Sequence, residues 1–336
     1  MGVNLKDLFE KKALSFKDLK GKVLVVDGFN MLYQFLTTIR APDGAVFTNK
    51  DGVVTSHLIG LFSRTTKFLL EGLKLVFVFD GVPPVLKQQE LERRFAVKKD
   101  AAAAFEKAKS EEDVLGMKKF AGRTAKLTDD MVSQAKLLLD ALGVPWVQAP
   151  SEGEAQAAFM VREGDGWAVV SQDYDSLLYG APFVVQNLSI TGRRKLPGKF
   201  AYITVHPELI DLEANLSMLG ISLEQLKIIA ILVGTDYNIG GVKGIGPKKA
   251  LALVKDLKTA EAVFEKAGLE ETVWRPILDT FNNMPVTDKF ELKWGVVDKE
   301  KVKQLLVDKF DFSQDRVEST LNKFKKNAQK GLGEFL

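Results

Sequence analysis

The chain has 336 residues, of which 46% are hydrophobic, and its mean hydropathy of -0.02 predicts an ordinary globular protein with a sizeable core. It has no cysteine and only two histidines, His57 and His206, which argues against disulfides, thiol catalysis, zinc or non-haem iron sites and Ser-His-Asp triads. No run approaches the ~20 apolar residues of a membrane span, and the charged N-terminus has no apolar signal core. We therefore expect a protein that stays in the cell and does not bind membranes.

Charge is distributed unevenly along the chain. The net charge is only +3, yet residues 86–126 hold eleven Lys or Arg against seven Asp or Glu, a local excess of +4. The sequence therefore indicates a balanced globule with one basic segment.

Carboxylates follow the apolar runs of the chain. KVLVVD, KLVFVFD and WAVVSQDYD are rich in Val and Phe, as buried parallel strands are. IIAILVGTD is predicted to be a buried helix, and SEGEAQAA a turn that leads into a helix. The carboxylates that these segments carry are Asp27, Asp80, Glu152, Glu154, Asp173, Asp175 and Asp236.

These seven carboxylates predict a metal site. Ligands of an open parallel sheet bind outside the carboxyl ends of its strands, so the side chains are expected to converge there. Clustered carboxylates repel one another unless cations neutralise them. Mg²⁺ prefers oxygen ligands, and two such ions roughly 4 Å apart form the usual clamp for phosphodiester hydrolysis. The alternative is that each Asp only caps the next turn or helix, but the D-x-D and E-x-E pairs favour the metal site.

The first half of the chain alternates strands and helices. After the strand at 22–26 we predict a helix over 29–39, a helix over 56–71 and the strand that ends at Asp80. Residues 86–109 are strong helix formers without an apolar stripe, which indicates a helix that is exposed, mobile or ordered by a ligand. Thr128 is the predicted N-cap of a helix that runs to 142, with Gly143 behind it.

The second half begins with β-structure and becomes helical. Residues 183–205 alternate as strands do, with Gly192 in a turn and Arg193, Arg194 and Lys195 at its tip. From His206 onward the pattern predicts helices. The expected fold class is α/β, with a central, mostly parallel sheet flanked by helices, in one domain over 1–326 with a short tail over 327–336.

Residues 225–256 contain a phosphate-binding pattern. GIGPKKA enters a helix as in a helix-hairpin-helix, where glycines let backbone amides approach a phosphate and the helix dipole favours it. Gly244 and Gly246 would form the turn, with Lys248 and Lys249 beside the phosphate. Such a hairpin grips the backbone without reading bases, so it indicates sequence-independent duplex binding; an ordinary glycine-rich turn is the alternative.

Two cations follow the Asp80 strand. Lys87 and Arg94 are seven residues apart and therefore share one helix face. Beside a metal site they would stabilise charge on a scissile phosphate. Without such a site they would simply form a solvated face.

The C-terminus carries a docking pattern. It has the spacing Q-x-x-L-x-x-aromatic-apolar, which docks a short helical turn into an apolar pocket of a partner. The alternative is a frayed helix end. The residues concerned are Gln329, Leu332, Phe335 and Leu336.

Six segments in order resemble one known family over nearly the whole chain. VDGFNMLYQF, VFVFDGVPPVLK, APSEGEAQAA, SQDYDSLLYG, VGTDYN and GIGPKKA are similar to those of the flap endonucleases among the XPG-type structure-specific nucleases. The resemblance implies a PIN-like 5′-nuclease fold and an enzyme that cuts 5′ flaps and trims 5′ ends in Okazaki fragment maturation and base-excision repair. It implies two Mg²⁺ ions, with Mn²⁺ as a substitute, on the same seven carboxylates.

The resemblance also implies roles for other residues. Lys87 and Arg94 would act on the scissile phosphate and Tyr33 would stack near the displaced nucleotide. Residues 86–126 would form a helical arch over the 5′ strand, and the hairpin would hold duplex DNA with a K⁺ ion. Further DNA contacts are expected at Arg64, Arg193 and Arg194.

The tail resembles a box that binds the sliding clamp PCNA, although it ends Phe-Leu where two aromatic residues are commoner. The loop YNIGGVK is one residue longer than is usual in the family. A monomer is expected, in the archaeal cytoplasm at the nucleoid, or in the nucleus if the source is eukaryotic.

Three other functions compete with a flap nuclease. A clamp accessory would keep the hairpin and the tail but use no carboxylates, which the presence of all seven argues against. An RNA-directed nuclease would keep the metal site, but the hairpin and the arch favour DNA junctions. A gap- or bubble-directed nuclease is a third possibility, and the compact arch favours free 5′ ends.

Overall fold

The structure, a computed structural model, describes residues 2–41, 44–111, 113, 116, 120, 124–190, 192–195 and 202–333, without the side chains of 109, 193–195, 202, 203 and 325–333. The chain divides into two compact units, each built from three segments. The first unit comprises Met1–Asn30, Val78–Arg93 and Val147–Phe290, and the second Met31–Phe77, Arg94–Trp146 and Glu291–Leu336.

Nine strands are present among the described residues. Seven of them form one sheet in the order β1-β9-β6-β5-β2-β3-β4, and β7 and β8 form a separate hairpin pair. All seven strands of the sheet contribute residues to the first unit. The strands are β1 Lys12–Ala13, β2 Val23–Asp27, β3 Lys74–Phe79, β4 Trp146–Gln148, β5 Ala168–Val170, β6 Phe183–Gln186, β7 Gly192–Lys195, β8 Tyr202–Val205 and β9 Glu208–Asp211.

The centre of the sheet is parallel and one edge is antiparallel. Val25 of β2 pairs with Val169 of β5, and Val169 pairs with Val184 of β6, both in parallel sense. Val184 also pairs with Ile210 of β9 in antiparallel sense, and β1 adds antiparallel to β9. These four valine and isoleucine side chains are fully buried. The predicted α/β class with a central sheet flanked by helices is confirmed.

The helices account for most of the remaining described chain. The α-helices are α1 Phe16–Leu19, α2 Gly28–Thr38, α3 Ser56–Leu70, α4 Gln88–Ser110, α5 Asp129–Ala141, α6 Gly153–Arg162, α7 Asp175–Leu178, α8 Leu212–Leu219, α9 Leu223–Val233, α10 Pro247–Leu257, α11 Ala260–Ala267, α12 Glu271–Asn282, α13 Lys299–Lys303 and α14 Gln314–Gly333, with a 3-10 turn Val85–Lys87 and a π-helical turn Gln304–Lys309.

Local sequence signals explain several helix boundaries. The Thr128 hydroxyl accepts a hydrogen bond from the N–H of Met131, so Thr128 caps α5 as predicted. Gly143 follows that helix with φ of +66°, a conformation that glycine adopts without steric cost. Helix α4 has no sustained apolar stripe, as expected, and Phe95 on it is 66% exposed.

Two sequence-based expectations about β-structure were wrong. Glu208–Asp211 is a strand, although the sequence after His206 predicted only helices. Its alternation is too short to identify alone, and its ladder with β6 supplies the partners that make it a strand. Gly192 opens strand β7 and does not lie in a turn, and Arg193, Arg194 and Lys195 pair with β8 rather than forming a tip.

No single helix among the described residues is long and apolar enough to cross a membrane. One pair bent by 81°, α8 with α9, meets the length and composition test when both helices are taken together. The apolar side chains Leu226, Ile229 and Leu232 of α9 are fully buried in the protein.

Candidate active site

Two aspartates at the ends of strands contribute the first carboxylates of the site. Asp27 is the last residue of β2 and is 3% exposed. It accepts hydrogen bonds from the Asn30 N–H at 2.9 Å and from the Ser171 hydroxyl at 3.1 Å. Asp80 follows β3 directly, and its Oδ1 accepts the N–H of Gly153 at 2.8 Å. Asp80 therefore connects the end of β3 to the start of α6.

Glu152 and Glu154 lie at the start of that same helix. Glu152 is the N-cap residue of α6, and Glu154 is in its first turn. Glu152 is 3% exposed although it carries a carboxylate. A buried carboxylate requires a charged or hydrogen-bonding partner, and Lys87 is that partner.

Asp173 and Asp175 come from the segment after β5. Asp173 accepts the side-chain N–H of Asn30 at 2.9 Å, and Asp175 accepts the backbone N–H of Val3 at 3.1 Å. One oxygen each of Glu154, Asp173 and Asp175 lies within 4.8 Å of the other two. Three oxygen donors at this separation can hold one hard divalent cation.

Asp236 reaches the site from a loop rather than from the sheet. Helix α9 ends at Gly234, which has φ of +110°, and a Cβ there would lie 2.6 Å from the backbone nitrogen of Gly241. The two glycines Gly240 and Gly241 both have positive φ, and the N–H of Val242 donates to the Leu232 carbonyl at 2.8 Å. These glycines let the loop fold back closely against the end of α9.

Lys87 connects Glu152 to Asp236. Its Nζ lies 2.5 Å from a Glu152 oxygen and 3.5 Å from an Asp236 oxygen, and the side chain is 12% exposed. Burial alone lowers the pKa of this amine, but the charges of Glu154, Glu152 and Asp236 outweigh burial and raise its pKa well above the ordinary value. Lys87 is therefore a permanent cation in the cluster.

For three of the carboxylates the surroundings instead disfavour the charged form. Burial, followed by the charge of Asp80, raises the pKa of Asp27 to about 8. Burial and then the charges of Asp173 and Asp236 raise the pKa of Asp175 to about 7. Burial and the charge of Asp175 also raise the pKa of Glu154 well above its usual range. One lysine does not neutralise this cluster, and the donor set fits a divalent cation that would displace the bound protons.

Comparison with known proteins identifies the family. Residues 1–101 match the XPG N-terminal domain and residues 143–236 match the XPG I-region. The chain is 50% identical to the flap endonuclease 1 of Hyperthermus butylicus over 331 residues, which cover 97% of this chain and 95% of that relative. It is 48% identical to the flap endonuclease 1 of Staphylothermus marinus over 332 residues, with the same two coverages. The chain belongs to the flap endonuclease family.

Solved structures agree with this assignment and confirm the resemblance predicted from sequence. Flap endonuclease-1 from Methanococcus jannaschii superposes with a TM-score of 0.76 at 44% identity, over 96% of this chain and 97% of that one. The catalytic core of Rad2 in complex with DNA substrate matches with a TM-score of 0.69 at 22% identity, over 93% and 95% of the two chains. The second match shows a shared fold.

The structure brings the seven predicted ligands of this flap endonuclease, and Lys87, into its first unit. Of the other residues predicted to act on DNA, Tyr33, Arg64 and Arg94 lie in the second unit. Tyr33 is 37% exposed, and Lys98 Nζ lies 5.2 Å from its ring centroid. Arg64 is on α3, where burial lowers its pKa. Arg94 is on α4 and is half-buried.

The predicted hairpin of this flap endonuclease has an open, basic turn. Gly244 has φ of +80°, Gly246 is the N-cap residue of α10, and a Cβ at either position would meet no atom within 4 Å. Lys248 and Lys249 are exposed at the start of the helix. The space over the backbone amides is thus accessible to a phosphate.

Several expected contacts lie outside the described parts of the chain. The side chains of Arg193 and Arg194, and those of Gln329 and Leu332 on α14, are among them, and so are Phe335 and Leu336 altogether. The arch expected over 86–126 is described only in part, chiefly as α4.

Sequence reasoning missed the residues that orient the carboxylates. Asn30 contacts both Asp27 and Asp173, and its side-chain oxygen Oδ1 accepts the backbone N–H of Gln172 at 3.2 Å. Gly2 lies so close to Asp175 that a Cβ would be 1.5 Å from its Oδ2. The available signal was the segment DGFN, in which Asn30 follows the strand-ending Asp27 by three residues. The segment MGVN held no comparable signal for Gly2.

Proposed function

We propose that this protein is a structure-specific nuclease that cuts 5′ flaps of branched DNA where the single strand joins the duplex, with 5′–3′ exonuclease activity, in Okazaki fragment maturation and base-excision repair. The observation that carries the proposal is the cluster of Glu154, Asp173 and buried Asp175 near the cationic Lys87, in a chain of the flap endonuclease family. Among the competing functions, a non-catalytic clamp accessory would have no use for buried, mutually repelling carboxylates.

The cofactor fits the donor set. We propose that two Mg²⁺ ions, replaceable by Mn²⁺, are held by the seven carboxylates. Bound there, the ions would polarise the phosphate and lower the pKa of a bound water. The support from this chain is that burial and mutual repulsion hold the pKa of Asp27 near 8 and that of Asp175 near 7.

The charges around Lys87 determine the role that we propose for it. Because its pKa lies far above neutrality, it does not exchange a proton during the reaction. Its ammonium instead offsets negative charge, first on Glu152 and Asp236 and then on the scissile phosphate. We assign Arg94 to the same phosphate and Tyr33 to stacking on the displaced nucleotide.

The remaining contacts concern DNA and the clamp. The open turn at Gly244 and Gly246, with Lys248 and Lys249, would hold a duplex phosphate together with a K⁺ ion. Residues 86–126 would arch over the 5′ strand, and Arg64, Arg193 and Arg194 would contact the backbone. The tail with Gln329, Leu332, Phe335 and Leu336 would dock into PCNA.

We further propose a single nuclease domain over 1–326 with a tail over 327–336, acting as a monomer at the nucleoid of an archaeal cell.

The deciding experiment compares cleavage of a 5′-labelled double-flap DNA by the wild type, Asp173→Ala and a matched surface control, Glu163→Ala. With Mg²⁺ we expect one incision at the flap base by the wild type and the control, and none by Asp173→Ala or in EDTA. Asp173→Ala should still fold and bind the junction, because it removes a carboxylate and leaves the fold intact. If the wild type leaves the flap DNA uncut under all metal conditions, the nuclease assignment is refuted.

A further inference from the structure

An ion pair between a buried carboxylate and a partly exposed guanidinium lies one turn beyond Lys87. Glu90 is 3% exposed, and the guanidinium of Arg93 donates to both of its carboxylate oxygens, at 2.6 Å from Nε and 2.8 Å from Nη2. An exposed pair three residues apart on a helix contributes little. Burial changes this, because a carboxylate that is withdrawn from water needs its partner.

The pair faces the loop that carries Asp236. Glu90 and Arg93 line a cavity of about 190 Å³ whose other wall belongs to the segment after α9. Asp236 itself and Ile239, which is 46% exposed, line the same cavity. The described residues that complete the lining are Gly2, Asn4, Val233, Gly234, Thr235 and Gly240.

The chain at the start of α4 therefore lies beside the site at two points. Lys87 ends the 3-10 turn Val85–Lys87, directly before α4, and its Nζ reaches Glu152 and Asp236. Three residues later Glu90, which pairs with Arg93, lines the same cavity as Asp236. Loss of Arg93 would leave the Glu90 carboxylate withdrawn from water without this charged partner. If Glu90 then turned toward water, the first turn of α4 would rotate and the direction in which Lys87 points would change.

We propose that Glu90 and Arg93 form a positioning pair that holds Lys87 Nζ between Glu152 and Asp236. Arg93 acts through Lys87 and does not itself touch the reacting phosphate. The inference rests on the role proposed above for Lys87. It adds that the ion pair sets the turnover number of the nuclease and leaves its affinity for the junction largely unchanged.

The test uses full-length Arg93→Met, which keeps the apolar stem, and Arg93→Lys, which keeps the charge but loses the fork. The matched control is Arg275→Met, because Arg275 also bridges two glutamates of the first unit, Glu271 and Glu261, at an exposed position. One readout is steady-state cleavage of double-flap DNA. A second, independent of activity and metal, is the rate at which trypsin cuts after Lys87 in EDTA, followed by mass spectrometry.

We expect kcat of Arg93→Met to fall about 10- to 100-fold with KM within about twofold, because small misplacements of a catalytic group cost up to ~10²-fold in rate. Arg93→Lys should be intermediate, and Arg275→Met should match the wild type. Trypsin should cut after Lys87 faster in Arg93→Met, since the first turn of α4 is released.

Three results would overturn the inference. The first is an unchanged kcat in Arg93→Met. The second is a raised KM with normal kcat, which would make Arg93 a DNA contact. The third is a lower kcat without faster cutting after Lys87, which would place Arg93 on the substrate itself. If Arg93→Met does not fold, Arg93→Lys against Arg275→Lys gives the same comparison. An inactive wild type would instead refute the proposed function, while the trypsin result would still test the positioning.

Discussion

Lys87 donates a hydrogen bond to Glu152 across 2.5 Å, and both side chains are almost entirely withdrawn from solvent. Lys87 comes from the turn before α4, whereas Glu152 caps α6, so 65 residues of sequence separate the two charges. The pair joins the turn before α4 to the start of α6.

Replacing Lys87 should reduce cleavage and spare binding. In Lys87→Met we expect the single-turnover rate to fall about 10²- to 10³-fold, as when one preorganised charge-stabilising donor is removed. The measurement is single-turnover cleavage with excess enzyme, beside junction affinity in Ca²⁺. Lys293→Met, which removes an exposed lysine that pairs with Glu291, is the control and should cleave normally. An equal loss in the control would point to general destabilisation.

The metal-free protein should lose stability as pH rises. The folded pKa values of Asp27, about 8, and Asp175, about 7, lie above the ordinary value of 3.8. Between pH 5 and 8 the folded state therefore binds more protons than the unfolded chain, and the free energy of unfolding falls with pH. The slope is at most about 1.4 kcal/mol per pH unit for each group.

Denaturant unfolding in EDTA between pH 5 and 8 measures this slope. Asp27→Asn should make it shallower and stabilise the metal-free protein at pH 8, whereas the surface variant Glu163→Gln should leave it unchanged. Added Mg²⁺ should flatten it, because a cation that binds only the folded state stabilises that state. A flat profile in EDTA for the wild type would contradict the raised pKa values.

The hairpin lysines should contribute to duplex binding in a salt-dependent manner. In Lys248→Gln/Lys249→Gln we expect weaker junction binding, and a plot of log affinity against log salt that is less steep by about 0.9 for each phosphate that the protein no longer neutralises. Fluorescence anisotropy from 50 to 300 mM KCl measures the slope. A double variant of exposed lysines elsewhere, Lys289→Gln/Lys293→Gln, should keep the wild-type slope, and equal slopes in all three proteins would remove the hairpin from the interface.

Removing the last eight residues should uncouple the enzyme from the clamp. Cleavage of flap DNA alone should be unchanged, while stimulation by PCNA should disappear, because the deleted segment supplies the proposed docking residues. Cleavage rates with and without PCNA measure both effects. The point variant Phe335→Ala/Leu336→Ala should behave as the deletion does, and stimulation that survives in both variants would refute the docking proposal.

The sequence by itself determined the fold class, the family and which carboxylates to examine. Buried parallel strands require near-continuous apolar runs, so β2 and β3 were visible with Asp27 and Asp80 at their ends. The Thr128 cap and the glycine after α5 were equally local signals. Six motifs in order identified the family, because each contains functional residues at a characteristic spacing within a characteristic stretch of sequence.

Tertiary structure alone decided the contacts between distant segments. Strand β9 exists because β6 offers it a ladder, which no short pattern reveals. Asn30 orients Asp27 and Asp173, the backbone N–H of Val3 holds Asp175, and Glu90 and Asp236 line one cavity. Hydrogen bonds and burial depend on positions in space, whereas composition and periodicity report only which face of an element is apolar. For the same reason the sequence placed a cation near the site, but only the fold paired Lys87 with Glu152 and Asp236.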